Sequence, residues 1–461
     1  MAYTSDNNEK ISVVARELEK NGVLKTYTSY IPSFVISKLV EFLATAIDHW
    51  ILTYLLGSTA LSVASRVLPF YYWILFAYSL FDGFHIYISH SFGENDQHKV
   101  NTLFTFSFYL MLIVTIISTF LYCHFPVVIY LLEEPNVSAD YLVKLGHQYL
   151  SGIAWGVFPM IALSALSYMV RIDGSRYLPI YANSAVVICN IILDFLLIGK
   201  FRYYGAGVAT SISYWIGFFI LITHFLKETN TYRLLAKINF SEISFKKLMS
   251  FTCPKVANLI AKLCNIASLT FLGFRNSGVI FGAVSSIYLM AHEFIYIVIL
   301  GIVEASRPLL GVTYGQKNYK TLHKILYAMY KLTIPSTAVL CLILFVFPQA
   351  FPLLMNLHTY DEAFAPACTA IRLLTIYAMS YAFTYLYRIY YQQIGYAKFI
   401  SIINLLESTV FIIPFYYLFA YRANANGFWW ANIYKGLITL IVLLSFHLWQ
   451  SYKLRPKYRE A

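Results

Sequence analysis

Apolar runs long enough to cross a lipid hydrocarbon core recur along the chain, each closed by a short polar break. A spanning helix needs about 20 mostly apolar residues. Such blocks fall at 31–57, 67–92, 103–132, 146–170, 178–199, 204–226, 249–274, 280–310, 322–350, 365–394, 397–421 and 426–449. Nothing between them is long enough for a soluble domain. A β-barrel also satisfies every backbone hydrogen bond in lipid, but its strands read as alternating segments of ~10 residues. Continuous Leu, Ile, Phe and Tyr runs of this length exclude it. The pattern predicts an all-α polytopic membrane protein of twelve transmembrane helices.

The breaks between blocks repeat. Pro32 near the start of helix 1 corresponds to Pro254 at the start of helix 7, 222 residues on. The polar run Ser91-Phe-Gly-Glu-Asn-Asp96 after helix 2 corresponds to Thr313-Tyr-Gly-Gln-Lys-Asn318 after helix 8, at the same offset. Gly174 corresponds to Gly395 at 221, and Gly207 to Gly427 at 220. Gly and Pro favour loops in any chain, but four matches in order at nearly one offset indicate a duplication. Six helices per half is an even number, so both halves insert the same way, as parallel repeats about a pseudo-two-fold along the membrane normal. The expected division is a lead-in at 1–30, an N-lobe at 31–226, a cytoplasmic linker at 227–248, a C-lobe at 249–449 and a tail at 450–461. Two such lobes enclose a cleft, and rocking them gives alternating access.

Composition agrees with this picture. Of 461 residues, 59% are hydrophobic and 12% charged, about half the charge of a soluble protein. The 34 Lys and Arg give a net charge of +12, yet their placement speaks for a membrane and against nucleic acid. Twelve spans put twenty of them on the side of both termini and six on the other: Arg66, Lys144, Lys200, Arg202, Arg275 and Arg422. Basic residues are retained in the cytoplasm, so both termini are expected inside a plasma membrane. The acidic turns Glu133–Glu134 and Asp361–Glu362 then lie outside. Residues 1–30 have no apolar core and do not read as a cleaved signal peptide. The six cysteines show neither paired nor metal-like spacing.

A charge at mid-membrane costs at least ~2.5–3.5 kcal/mol on insertion scales, which makes it a functional candidate by default. Asp48 lies about 17 residues into helix 1. Asn190 and Asp194, four apart on helix 5, share a face. Thr210 opens helix 6 in a Gly-rich stretch that permits close backbone approach. These oxygens suit Na⁺; the same carboxylates can instead carry a proton, since burial disfavours the charged form. Capping or cross-linking of helices is the bland alternative. Glu41 lies two turns before Asp48, either paired with Lys38 or relaying protons to Asp48. Asp82 and His85 on helix 2 either extend this network or hydrogen-bond a neighbouring helix. Lys331 and Lys435 are expected near water. No P-loop, His/Cys metal cluster or nucleophile motif is present, so neither an enzyme nor an ATP-driven pump is expected.

Three stretches give the chain a resemblance to the multidrug and toxic compound extrusion (MATE) transporters over residues 31–449. The first is Pro32 with Ala46-Ile-Asp-His-Trp50, and the second the paired endings of helices 2 and 8. The third joins Ile172-Asp-Gly-Ser175, Asn190-Ile-Ile-Leu-Asp194 and Gly205-Ala-Gly-Val-Ala-Thr210. The resemblance implies a multidrug efflux antiporter, in which a small organic solute leaves as Na⁺ or H⁺ enters. No other cofactor is implied, and the chain is expected to work as a monomer. It also places a cation site at Asp48, Asn190, Asp194 and Thr210. The C-lobe departs from the family, with Lys262 and Phe383 where many members carry acids and with Arg388 five residues further on. Lys262 and Arg388 could line the cleft and favour anionic or zwitterionic solutes, or pair with Glu293 or Glu304. A lipid-linked saccharide flippase of the same superfamily is the alternative within transport. A non-transporting membrane protein would leave the duplication unexplained.

Overall fold

The computed structural model describes residues 12–57, 59–126, 137–355, 357–422 and 427–459. The acidic turn Glu133–Glu134 lies outside the described residues. Helix makes up 87% of the structure, with no strand among the described residues. This is the all-α architecture that the long apolar runs require. Each of the twelve blocks falls largely on helix.

The first half holds a short helix α1 (Val13–Asn21), then α2 (Val23–Leu56), α3 (Thr59–Gly93), α4 (Gln97–Cys123), α5 (Val137–Ile153), α6 (Val157–Ile172) and α7 (Leu178–Ile222). The second holds α8 (Phe245–Glu304), α9 (Arg307–Gly315), α10 (Tyr319–Val346), α11 (Ala350–Leu354), α12 (Phe364–Gln393), α13 (Ala397–Ser408), α14 (Ile413–Arg422) and α15 (Gly427–Arg459). Two elements carry two blocks each. Within α7, Arg202 has φ 53° and ψ −131°, a non-helical break that separates block 178–199 from block 204–226. The 60 residues of α8 include block 249–274 and most of block 280–310. Seven stretches are long and apolar enough, by length and composition alone, to cross a membrane among the described residues.

The chain divides into two compact units. Residues Met1–Arg16 and Ile36–Leu248 form the first, and Glu17–Val35 with Met249–Ala461 the second. Their equivalent turns have the same backbone. After α3, Asn95 has φ 57°, the Asp96 N–H bonds Ser91 O, and the Asp96 carboxylate caps α4 through Lys99 N. After α9, Lys317 has φ 57°, the Asn318 N–H bonds Thr313 O, and Asn318 Oδ1 caps α10 through Thr321 N. Gly174 and Gly395, at φ 97° and 94°, take the left-handed conformation that glycine adopts without steric cost.

Helices α5 and α7 meet backbone to backbone. A Cβ on Gly207 would stand 2.2 Å from Tyr149 O, and one on Gly156 2.6 Å from Ser211 Cα. Small residues allow this approach, Gly152 on α5 and Gly156 in the turn that follows it against Gly207 and Ser211 on α7, as in tightly packed membrane helices. Ser211 Oγ also donates to Gly152 O at 2.7 Å. The contact holds α5 against the part of α7 that follows the break. Beside it, Ile51, Leu52, Ala60, Val63, Ile198, Tyr203 and Ala206 form a buried apolar cluster, with Ile47, Tyr149 and Ile191 packed against it.

The linker is tied to the first unit by side chains. Asp173 accepts from Thr231 N at 2.9 Å and Thr231 Oγ1 at 2.6 Å, and its Oδ2 lies 2.9 Å from His224 Nε2. Asn101 Oδ1 accepts from Arg233 N, and Thr105 Oγ1 from Leu235 N, each at 3.0 Å.

Candidate functional site

Two residues packed against the apolar cluster, Ile47 and Ile191, are chain neighbours of the polar residues singled out in helices 1 and 5. Asp48 follows Ile47 on α2, and Asn190 and Asp194 flank Ile191 on α7. The helical spacing of four brings Asn190 and Asp194 together, with Asn190 Nδ2 donating to Asp194 Oδ2 at 2.7 Å. The same nitrogen reaches Asp48 Oδ1 at 3.4 Å. One neutral amide therefore bridges two carboxylates from two helices. Carboxylate oxygens only accept, which fixes the amide with its nitrogen towards them. Asp194 is fully buried, and its Oδ1 has no hydrogen-bond partner among the described residues. Asp48 and Asp194 also lie within direct electrostatic reach of each other and of Tyr149. The two acids thus form a close pair, with Asp194 buried and Asp48 partly exposed.

Thr210 lies further along α7 than Asn190 and Asp194. Its hydroxyl donates to Ala206 O at 3.1 Å on its own helix, the local bond that Ser and Thr often make in helices. Glu41 forms an ion pair with Lys38 at 2.8 Å, the plainer of the two readings, although Tyr214 lies within electrostatic reach of both Glu41 and Asp48. Asp82 is buried on α3. His85, one turn on, donates from Nε2 to Ala165 O at 2.8 Å and stacks on Tyr168, a hydrogen bond between α3 and α6. Tyr149 is the N-lobe group that sequence reasoning missed. One Tyr among forty has no local signal; only the close contact of α5 with α7 sets it beside the acids.

The C-lobe treats its intramembrane acids differently. Lys262 pairs with Glu293 at 3.6 Å, both about half exposed. Arg388 is buried on α12 and donates from Nη2 to Glu407 Oε2 on α13. Glu407 was not anticipated as its partner. Lys435 on α15 lies 3.9 Å from the other Glu407 oxygen and over the Tyr377 ring. The expectation that Lys435 lies near water is therefore overturned, because three helices converge on one carboxylate and bury it, whereas Lys331 is exposed. Glu304 accepts from Tyr385 at 2.8 Å and sits 3.9 Å from Lys255. Among the described residues no group of three or more His, Cys, Asp and Glu could hold a metal ion.

The family model MatE matches the chain twice, over residues 33–196 and 255–418, at the 222-residue offset of the repeated turns. A probable multidrug resistance protein NorM of Bradyrhizobium diazoefficiens is 25% identical over 252 residues, and the match covers half of each chain. The chain thus spans about half the length of that curated relative. Among solved structures, an outward-facing multidrug resistance MATE transporter of the MOP superfamily gives a TM-score of 0.82 at 19% identity, covering 98% of this chain and 99% of that one. A MOP superfamily transporter from Pyrococcus furiosus, described as having a binding pocket of reverse polarity, gives 0.81 at 18%, covering 98% and 100%. A variant of a Vibrio cholerae MATE transporter gives 0.81 at 16%, covering 94% and 97%.

Proposed function

The chain belongs to the MatE family, and from that membership and the geometry of its acid pair we propose that it is a secondary antiporter. It exports a small organic compound across the plasma membrane in exchange for a cation, by alternating access of two lobes with both termini in the cytoplasm. The cation is taken up by the N-lobe. Asp48 and Asp194 supply the charge, Asn190 holds the two carboxylates together, and the apolar cluster keeps bulk water from them.

The observation that carries this reading is the single Asn190 amide shared by two acids, one of them fully buried with a bare oxygen. Two carboxylates this close resist being charged together, and one proton between them removes the repulsion. A Na⁺ ion would call for oxygens from every neighbour, but Asn190 turns its nitrogen to the pair. The arrangement therefore favours H⁺ over Na⁺. The flippase alternative drew on Lys262 and Arg388 as free cations, and both have carboxylate partners.

Purified protein in proteoliposomes, under an imposed pH or Na⁺ gradient, tests this reading with a panel of cationic, neutral and anionic dyes. The pH gradient should drive accumulation of at least one dye, with no added effect of Na⁺. Accumulation driven by Na⁺ alone would replace the proton with Na⁺. No response to either gradient would overturn antiport.

A further inference from the structure

The linker at 227–248 carries exposed apolar and basic side chains that the proposed cycle does not use. Its backbone is tied to the first unit at Thr231, Arg233 and Leu235, and its aromatic rings continue the contact along α4. Phe240 and Phe245 stack on each other at 6.2 Å, and each meets Phe106 edge-on at 5.7 Å. Phe106 and Thr105, the residue that holds Leu235 N, fall inside the apolar block 103–132. The linker therefore runs at the level where that span enters the bilayer. Leu234, Phe240 and Phe245 are nevertheless 47–57% exposed in the protein alone. Close to them in sequence, Arg233, Lys237 and Lys246 are exposed as well. The one acid between Arg233 and Lys246 is Glu242, which is occupied by His98, Asn239 and Thr102.

We infer that this segment lies in the membrane interface and binds the phosphate of an anionic phospholipid in the leaflet beside it. Water is a poor surround for three large apolar side chains on one short segment, whereas an interfacial segment sinks such groups into the boundary between headgroups and acyl chains. Arg233, Lys237 and Lys246 then stand at headgroup level, where basic groups attract anionic lipid. A zwitterionic lipid brings them no net charge. A soluble anion brings charge but nothing for the apolar groups to rest against, so the complementarity is to a lipid and not to free phosphate. The antiport reading does not enter. Only the naming of that leaflet as cytoplasmic rests on the proposed orientation, and binding measured in detergent is blind to it.

Full-length protein in a neutral detergent, titrated with phosphatidylglycerol or phosphatidylcholine carrying a dansyl group on an acyl chain, reads the site through energy transfer from tryptophan. Phosphatidylglycerol should bind about tenfold more tightly than phosphatidylcholine in low salt, and high salt should narrow the gap by screening exposed charges. Combining Arg233→Gln, Lys237→Gln and Lys246→Gln should bring the preference below about threefold. Should that protein fail to fold, Lys246→Glu alone should cut the preference by about half. Phe240→Ser should weaken both lipids and leave their ratio unchanged. Equal affinity of the unaltered protein for the two lipids would overturn the inference and leave this face to another partner. An undiminished preference in the triple variant would overturn it by placing anionic lipid elsewhere. Displacement of the labelled lipid by glycerol phosphate would do so by assigning the basic groups to a soluble anion.

Discussion

Both lobes bury acids in the membrane, and they neutralise them in opposite ways. In the N-lobe, Asp48 and Asp194 share a neutral amide, and one buried oxygen is left bare. In the C-lobe, buried Glu407 sits between Arg388 and Lys435. A carboxylate held by a guanidinium is a fixed charge, because protonating it breaks a salt bridge in a low-dielectric interior. A carboxylate held by an amide can exchange a proton or cation without breaking an ion pair. In the proposed cycle, two descendants of one duplicated unit thus divide into a lobe whose charge changes and a lobe whose charge is locked.

The largest expected effect lies in the N-lobe. Asp48→Asn or Asp194→Asn should lower gradient-driven transport at least a hundredfold while the protein remains folded by gel filtration and circular dichroism. Transport surviving both substitutions would dissolve the contrast between the lobes. In the C-lobe the corresponding loss is one of stability. Glu407→Gln leaves Arg388 buried without its carboxylate and should cost about 3–5 kcal/mol, read as a lowered unfolding midpoint. The paired change Arg388→Met with Glu407→Leu should recover most of that. A Glu407→Gln protein as stable as the original would show that Glu407 is not the lock.

The helix contact that places Tyr149 beside the acids comes next. Gly207→Val forces atoms against Tyr149 O and Gly152, and should destabilise by about 1–3 kcal/mol and slow transport through the displaced trio. Full activity with unchanged stability would separate that contact from the site. The smallest effect is expected at Lys262, whose pairing with Glu293 is half exposed. Lys262→Gln should change stability by less than about 1 kcal/mol and transport by less than twofold. A large loss would give this residue a role in solute binding.

Much of this was legible in local sequence. Apolar block length located the helices, and the recurring Gly and polar turns exposed the duplication, which the twin backbone of Asn95–Asp96 and Lys317–Asn318 repeats bond for bond. The spacing of Asn190 and Asp194 alone put them on one helical face, and their mid-membrane position marked them as unusual. What escaped notice depended on partners far apart in the chain. Glu407 is 19 residues from Arg388 and 28 from Lys435, and nothing in the pattern says that three helices meet there. Thr210 was grouped with the acids by residue type and by resemblance, and neither shows that its hydroxyl donates to a carbonyl one turn away on its own helix. A short-range bond of that kind is invisible in residue type alone.

Proton release on solute binding tests the claim that the N-lobe acid pair is the coupling site most directly. Protein in weakly buffered detergent solution, mixed with a dye that the transport panel identifies as a substrate, can be followed with a pH indicator. About one proton per chain should appear on binding to the unaltered protein and to Lys262→Gln, and none on binding to Asp48→Asn or Asp194→Asn. Release of a full proton from either Asp variant, with dye affinity retained, would contradict the account.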